Sequence, residues 1–183
     1  MRQYWVAPLP PFHIADSTAY TGTAAIGDIS PAPPIVIPAN TLEIGSRLEF
    51  TAFGRFTTAG TPGTVVVGIY LAPTATAIAS GNAVVVSATL SPAASQTNRT
   101  WRIEGNAQIR SVGATTSATI IASLELTNFT GATGVAGTDI APTTAPATFG
   151  FDSTVANSVR IGVTPSVTTQ SWTTHYFGVR LVN

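Results

Sequence analysis

Cysteine and lysine are both absent from the 183 residues. Without cysteine there is no disulfide and no thiolate metal site, so packing and hydrogen bonds must hold the fold. Charge is scarce as well. Asp, Glu, Lys and Arg make up 9% of the chain, against about 25% in ordinary soluble domains. The eight positive residues are all arginine and eight acids balance them, so the formal net charge is zero. That balance gives no electrostatic reason to bind nucleic acid or an anionic membrane, and it favours self-association. No apolar run reaches the ~18 residues of a transmembrane helix. The N-terminal MRQYWVAPLPPF has no apolar stretch of secretory h-region length before its prolines, so synthesis and folding in a cytoplasm are expected.

What the chain does have is alternation. From Trp101 to Arg110 small or apolar residues (Trp101, Ile103, Gly105, Ala107, Ile109) alternate with polar ones (Arg102, Glu104, Asn106, Gln108, Arg110). A period of two marks a strand with one face on a core. Ser117 to Thr127 repeats it with Ala118, Ile120, Ala122, Leu124 and Leu126. The two runs predict a long hairpin, with Ser111–Thr116 as its loop and Gly113 free to take positive φ. Leu42–Thr58 holds another strand, with Leu48, Phe50, Ala52 and Phe56 inward and Gly54 marking a bulge or bend. Val65–Ala72 is apolar on both faces, as in a strand central to a packed sheet. Further strands are expected at Ala83–Leu90, Phe149–Asp152, Asn157–Thr164 and Trp172–Val182, the last with Phe177, Val179 and Leu181 on one face. Asn128–Thr148 has no period and reads as a long contact loop. The chain is long enough for one well-buried domain. The fold class is all-β: an antiparallel β-sandwich, jelly-roll-like, with an extended N-terminal arm.

The arm is residues 1–38 and the sandwich 39–183. Seven prolines between Pro8 and Pro38 exclude a helix or a central strand. A loose terminus is one reading of such a segment. The aromatic and aliphatic residues Tyr4, Trp5, Val6, Leu9, Phe12 and Ile14 favour another, an arm that anchors on a partner surface.

No constellation names a reaction. His13 and His175 are far apart in sequence, and a metal site needs three or four ligands. His175 shares its parity with Phe177 and Val179, which fits a packed or interface histidine. Glu104 and Glu125 fall on adjacent strands and could approach, as a glycosidase pair must; pairing with Arg102, Arg47 or Arg110 is the simpler expectation. Asp139, within the long loop, and Asp152, just after it, are candidates for Ca²⁺, but EF-hand spacing is absent. There is no G-x-S-x-G elbow and no P-loop. The N-x-T triplets at Asn98 and Asn128 read as chance matches in a threonine-rich chain. Trp5, Trp101 and Trp172 offer rings for sugar stacking, but Trp101 and Trp172 are expected in the core. No cofactor and no metal are expected.

Two short stretches carry a likeness. A-N-T-L-x-x-G at Ala39–Gly45 leads into a strand, and I-R-S-V-G at Ile109–Gly113 closes a hairpin that also carries Trp101. From Ile37 to Leu126 the chain resembles the jelly-roll structural proteins of tailed bacteriophages. The resemblance implies a virion component with no enzymatic residues to transfer, of the head-decoration (cement), head-fibre or tail kind, often trimeric. The expectation is a non-enzymatic capsid decoration protein on the head surface. Its partners would be the major capsid protein and its own copies, and it would assemble in the host cytoplasm. A tail, collar or fibre protein contacting host or glycan is the alternative, and a carbohydrate-active enzyme the next.

Overall fold

The computed structural model describes residues 6–8, 15–22, 25–131, 134–140 and 149–182, with side chains described for 15–22, 25–127, 129 and 149–182. The strands are β1 (Val6–Pro8), β2 (Gly27–Asp28), β3 (Ile35–Ile37), β4 (Arg47–Thr58), β5 (Val65–Pro73), β6 (Ala83–Val86), β7 (Arg99–Ser111), β8 (Ala118–Gly131), β9 (Gly134–Ile140), β10 (Phe149–Phe151), β11 (Asn157–Pro165) and β12 (Gln170–Val182). They form two antiparallel sheets packed as a sandwich. The larger runs β1-β12-β4-β7-β8-β10 with β9 also on β8; the smaller runs β2-β11-β5-β6 with β3 also on β11. The hairpins β5–β6 and β7–β8 each stay within one sheet, and the chain crosses between sheets from β1 to β2, β3 to β4, β4 to β5, β6 to β7, β10 to β11 and β11 to β12.

The alternation read in the sequence is the burial pattern of the large sheet. Leu48, Phe50, Ala52 and Phe56 of β4 share the core face with Trp101, Ile103, Ala107 and Ile109 of β7, and Ala118, Ile120, Leu124 and Leu126 of β8 join them, all buried. Hydrophobic burial of this kind is the main driving term, at about 25 cal/mol per Å². At one end of the core Trp172 stacks on Phe56 at 5.0 Å and lies 6.3 Å from both Trp101 and Phe129. Both tryptophans expected inside are inside.

β5 is buried on both faces, as its composition predicts. Val65, Val67, Ile69 and Leu71 point into the sandwich. On the other face Tyr70, Ile78 and Ile26 cover Gly162, where a Cβ would stand 2.7–2.9 Å from their side-chain atoms. Burial there pushes the Tyr70 phenol up to about 12.

Three local readings change. The left-handed residue of the β7–β8 loop is Thr115 (φ 60), not Gly113. Its N–H donates to the Asp152 carboxylate at 2.8 Å, a charge-assisted bond that offsets the strain. Gly113 is required by proximity instead, since a Cβ there would lie 2.8 Å from that of Ser117. Next, the stretch expected as a loop from Asn128 is partly strand. β8 continues to Gly131 and β9 folds back on it, with Leu124 opposite Ile140 and Glu125 opposite Asp139. Gly, Ala and Thr supply no contrast between faces, so a ladder there leaves no period to read. Residues 141–148 lie outside the described residues.

Lastly, the parity of β12 is broken by a bulge between Thr174 and Tyr176. It lets Trp172 and Thr174 share the core face with Phe177, Val179 and Leu181. His175, the extra residue, is half-buried and off that face. Thr174 is fully buried, yet its hydroxyl has no partner among the described residues, and neither has the Trp101 indole N–H. A buried polar atom without a partner carries its desolvation cost uncompensated. Thr174→Val, nearly isosteric, is therefore expected to raise stability by about 1 kcal/mol in urea unfolding; a loss of that size would refute this account of the site.

Residues 15–22 and 25–38 contain no helix, as the prolines at 31, 33, 34 and 38 require of the second stretch, and they are also packed. Ser17 and Tyr20 bond to the edge of β12, while β2 and β3 pair with β11. Ile29, Ile35 and Ile37 are among the most deeply buried side chains of the core.

Candidate interaction surface

The outer face of the large sheet gathers most of the described charge. Arg47 and Arg55 of β4, Arg102 and Arg110 of β7 and Arg180 of β12 all point outward, together with Glu49, Glu104 and Glu125. The register sets them in rows across the strands. Arg180, Glu49, Asn106 and Ser123 form one row; Thr51, Glu104 and Glu125 the next; Tyr176, Phe53, Arg102 and Thr127 the third. Glu49 accepts from Arg47 at 2.5 Å and lies 3.5 Å from Arg180. Arg102 pairs with Glu104. These pairs are exposed and contribute little to stability; their effect is to fix side chains on a flat face. Where the side chains are small, a shallow depression of about 530 Å³ opens, lined by Arg47, Asn106, Gln108, Ile121 and Ser123.

Glu104 and Glu125 do meet, directly opposite each other. Like charges so placed repel, and the expected arginine partner, Arg102, offsets one of them. They sit on an open face. Asp152 is engaged elsewhere: it accepts from the N–H of Thr115 and from the N–H and hydroxyl of Thr154 at 2.6–2.8 Å. Those bonds hold its carboxyl below the usual carboxylate range. The side chain of Asp139 lies outside the described residues. Among the described residues no group of three or more His, Asp or Glu is placed to hold a metal ion, and no helix is long and apolar enough to cross a membrane.

The same face holds a pair that the sequence reading passed over. Phe53 and Tyr176 are exposed and stacked, with ring centroids 5.4 Å apart and planes at 17°. Tyr176 lies over Gly178, where any Cβ would collide with its ring. Phe53 was visible in principle: it is the one aromatic on the polar parity of β4. Tyr176 was visible in the same way, on the parity opposite Phe177, Val179 and Leu181.

Of the residues expected to anchor the arm, Tyr4, Trp5, Leu9, Phe12 and Ile14 lie outside the described residues, as does His13. Val6 opens β1, and its backbone pairs with Val182. Downstream, Asp16 meets His175 Nδ1 at 2.8 Å. Ser17 N–H donates to the Thr174 carbonyl at 2.9 Å, and its hydroxyl accepts from the Thr174 N–H at 2.9 Å. Tyr20 exchanges backbone bonds with Trp172 at 2.9 and 3.1 Å. The described residues Val6–Pro8, Asp16, Ser17 and Tyr20 thus lie along the outer edge of β12.

The Ala39–Gly45 and Ile109–Gly113 motifs meet at one end of the sandwich. Asn40 (φ 58) and Gly45 (φ 93) shape the first turn. Asn40 N–H donates to the Ser153 carbonyl, Gly45 N–H to the Ile109 carbonyl, and Ser153 exchanges backbone and hydroxyl bonds with Gly113. Both motifs frame turns, and the geometry accounts for Asn40, Gly45 and Gly113.

No family model matches the chain, and no curated protein matches it. Among solved structures, a mutant of the alginate lyase Aly36B in complex with alginate trisaccharide aligns over 97% of each chain, at 11% identity and a TM-score of 0.32. A likeness of that degree carries no argument about the fold or the activity of this chain.

Proposed function

We propose that the chain is a bacteriophage virion structural protein of the capsid decoration kind, which binds the outside of the head and stabilises it. The observation that carries this reading is the N-terminal segment. Its described residues Val6–Pro8, Ser17 and Tyr20 bond to a sheet edge through their backbone, and among the described residues its core isoleucines begin at Ile29. A segment of that kind can lie across a neighbouring protein while the sandwich stays folded. The likeness of residues 37–126 to phage jelly-roll proteins supports the same reading, as do zero net charge and the arginine-rich outer face, arginine and aromatics being enriched where proteins meet. The partners are then the major capsid protein and further copies of the chain, most simply as a trimer. The protein acts without a cofactor, and its place is the capsid surface after assembly in the host cytoplasm. Repeated moderate contacts around a head give avidity without one strong site.

The test is co-sedimentation of purified protein with heads that lack it. Full-length protein is expected to pellet with heads and a chain starting at Ala15 to remain in the supernatant, with at least about tenfold less in the pellet, the scale on which avidity is lost with one contact. Equal binding by both would refute the arm's role.

The exposed Phe53–Tyr176 stack favours a second reading, a tail or fibre protein that contacts host glycan, since aromatic faces beside amide and charged groups suit a sugar ring. Adsorption to host cells that is lost in Phe53→Ser and Tyr176→Ser would favour this reading over the first.

A further inference from the structure

We infer that the outer edge of β12 is a strand-exchange surface, on which β1 of a second copy takes the place of the chain's own β1. The inference rests on the arm of the proposed function and names the partner and the place where the arm docks.

Four observations lead there. β12 is 13 residues long, and its side away from β4 is a sheet edge. Such an edge is a template for any passing strand unless it is covered. Over Arg180–Val182 its described cover is β1 alone, three residues joined by backbone register. Pairing of that kind is indifferent to which copy supplies the strand.

The anchor that stays behind is well defined. Asp16 is held by His175, Ser17 by Thr174 and Tyr20 by Trp172. Tyr20 also donates its hydroxyl to the Ala25 carbonyl at 3.0 Å and packs against the core. β1 can therefore leave with the bonds of Asp16, Ser17 and Tyr20 intact.

The connection is long enough. Along β12, Thr174 to Arg180 is six residues, about 20 Å of strand. From Ser17 back to Pro8 the chain has nine Cα steps, which reach up to about 30 Å. The surplus, about 10 Å, is slack that lets β1 shift to an edge lying beside its own.

Exchange also costs little in contacts, because the same pairs form in both arrangements. Swapping an identical element is a low-cost route to association, and high local concentration on a particle drives it.

The absence of cysteine makes the test direct, since every thiol is then an introduced one. Val6 and Val182 are register partners, and directly opposed strand residues lie within disulfide reach. Val6→Cys and Val182→Cys are placed on two differently tagged full-length copies, co-expressed, concentrated and oxidised. Exchange predicts a disulfide-linked pair of the two tags on a non-reducing gel. Val6→Cys paired with Thr89→Cys, an exposed position off the large sheet, should give at least about tenfold less, because unpaired positions lie beyond disulfide reach. The Val6→Cys/Val182→Cys double variant shows whether the register closes at all. If it closes within one chain while the separate copies never link, the inference is overturned. If neither form links, and Pro8→Cys with Arg180→Cys fails likewise, the pairing is absent and the inference falls with it. Linking without head binding would refute only the decoration reading; head binding without linking would refute only the exchange.

Discussion

Gly54→Val is expected to abolish folding at 37 °C, and Gly54→Ala to cost about 3 kcal/mol or more, the upper range for overpacking a core. Gly54 lies on the inward face of β4, opposite Thr174 on one side and Trp101 on the other. The bulge at His175 brings the Thr173 carbonyl over it, and the Trp101 ring closes the remaining space. A methyl group there collides with β12 backbone on one side and with the fully buried Trp101 indole on the other, so relief needs the β4–β12 pairing to open or the indole to leave its place in the core. Gly60, with nothing within 4 Å of the same virtual methyl and no positive φ, is the control. Gly60→Ala should leave the urea midpoint unchanged. If Gly54→Ala unfolds at the same midpoint as Gly60→Ala, the close approach of Thr173 is wrong.

Truncation has the other large effect, and its size depends on where the cut falls. A chain starting at Ala39 loses Ile29, Ile35 and Ile37, each at most 1% exposed, together with β2 and β3. Removing one buried isoleucine side chain costs about 2–5 kcal/mol. Three of them total at least about 6 kcal/mol, comparable with the whole stability of a typical domain. That fragment is expected to be unfolded or aggregated. A chain starting at Ala15 loses β1 but none of the described core, and it should keep a cooperative thermal transition. Dispersed amide resonances from the 39–183 fragment would contradict this packing.

The contrast shows what the sequence carried. Prolines between 8 and 38 fix backbone geometry, so an extended segment was legible; they say nothing about whether its isoleucines are wrapped onto a core. Strands with strong facial contrast, β4, β7 and β8, were legible almost residue by residue, because burial on one face leaves a period of two. β9 was hidden because Gly, Ala and Thr look alike on both faces. The β12 bulge was hidden because one inserted residue looks like an ordinary strand residue; with it went the side on which His175 lies. The opposition of Glu104 and Glu125 was half legible, since adjacent strands could be read but register could not. Phe53 stood among Arg47, Glu49 and Arg55 on the polar face of its strand, so its exposure was legible from parity.

The central claim is that this sandwich sits on the outside of a phage head and holds it through its N-terminal segment. Electron cryo-microscopy of heads assembled with and without the chain tests it most directly. The account predicts added density on the head exterior at three-fold positions, sized for three 18.8 kDa sandwiches, with an extended strand running from each to a neighbour. Heads identical in the two preparations, or added density confined to the tail, would contradict it.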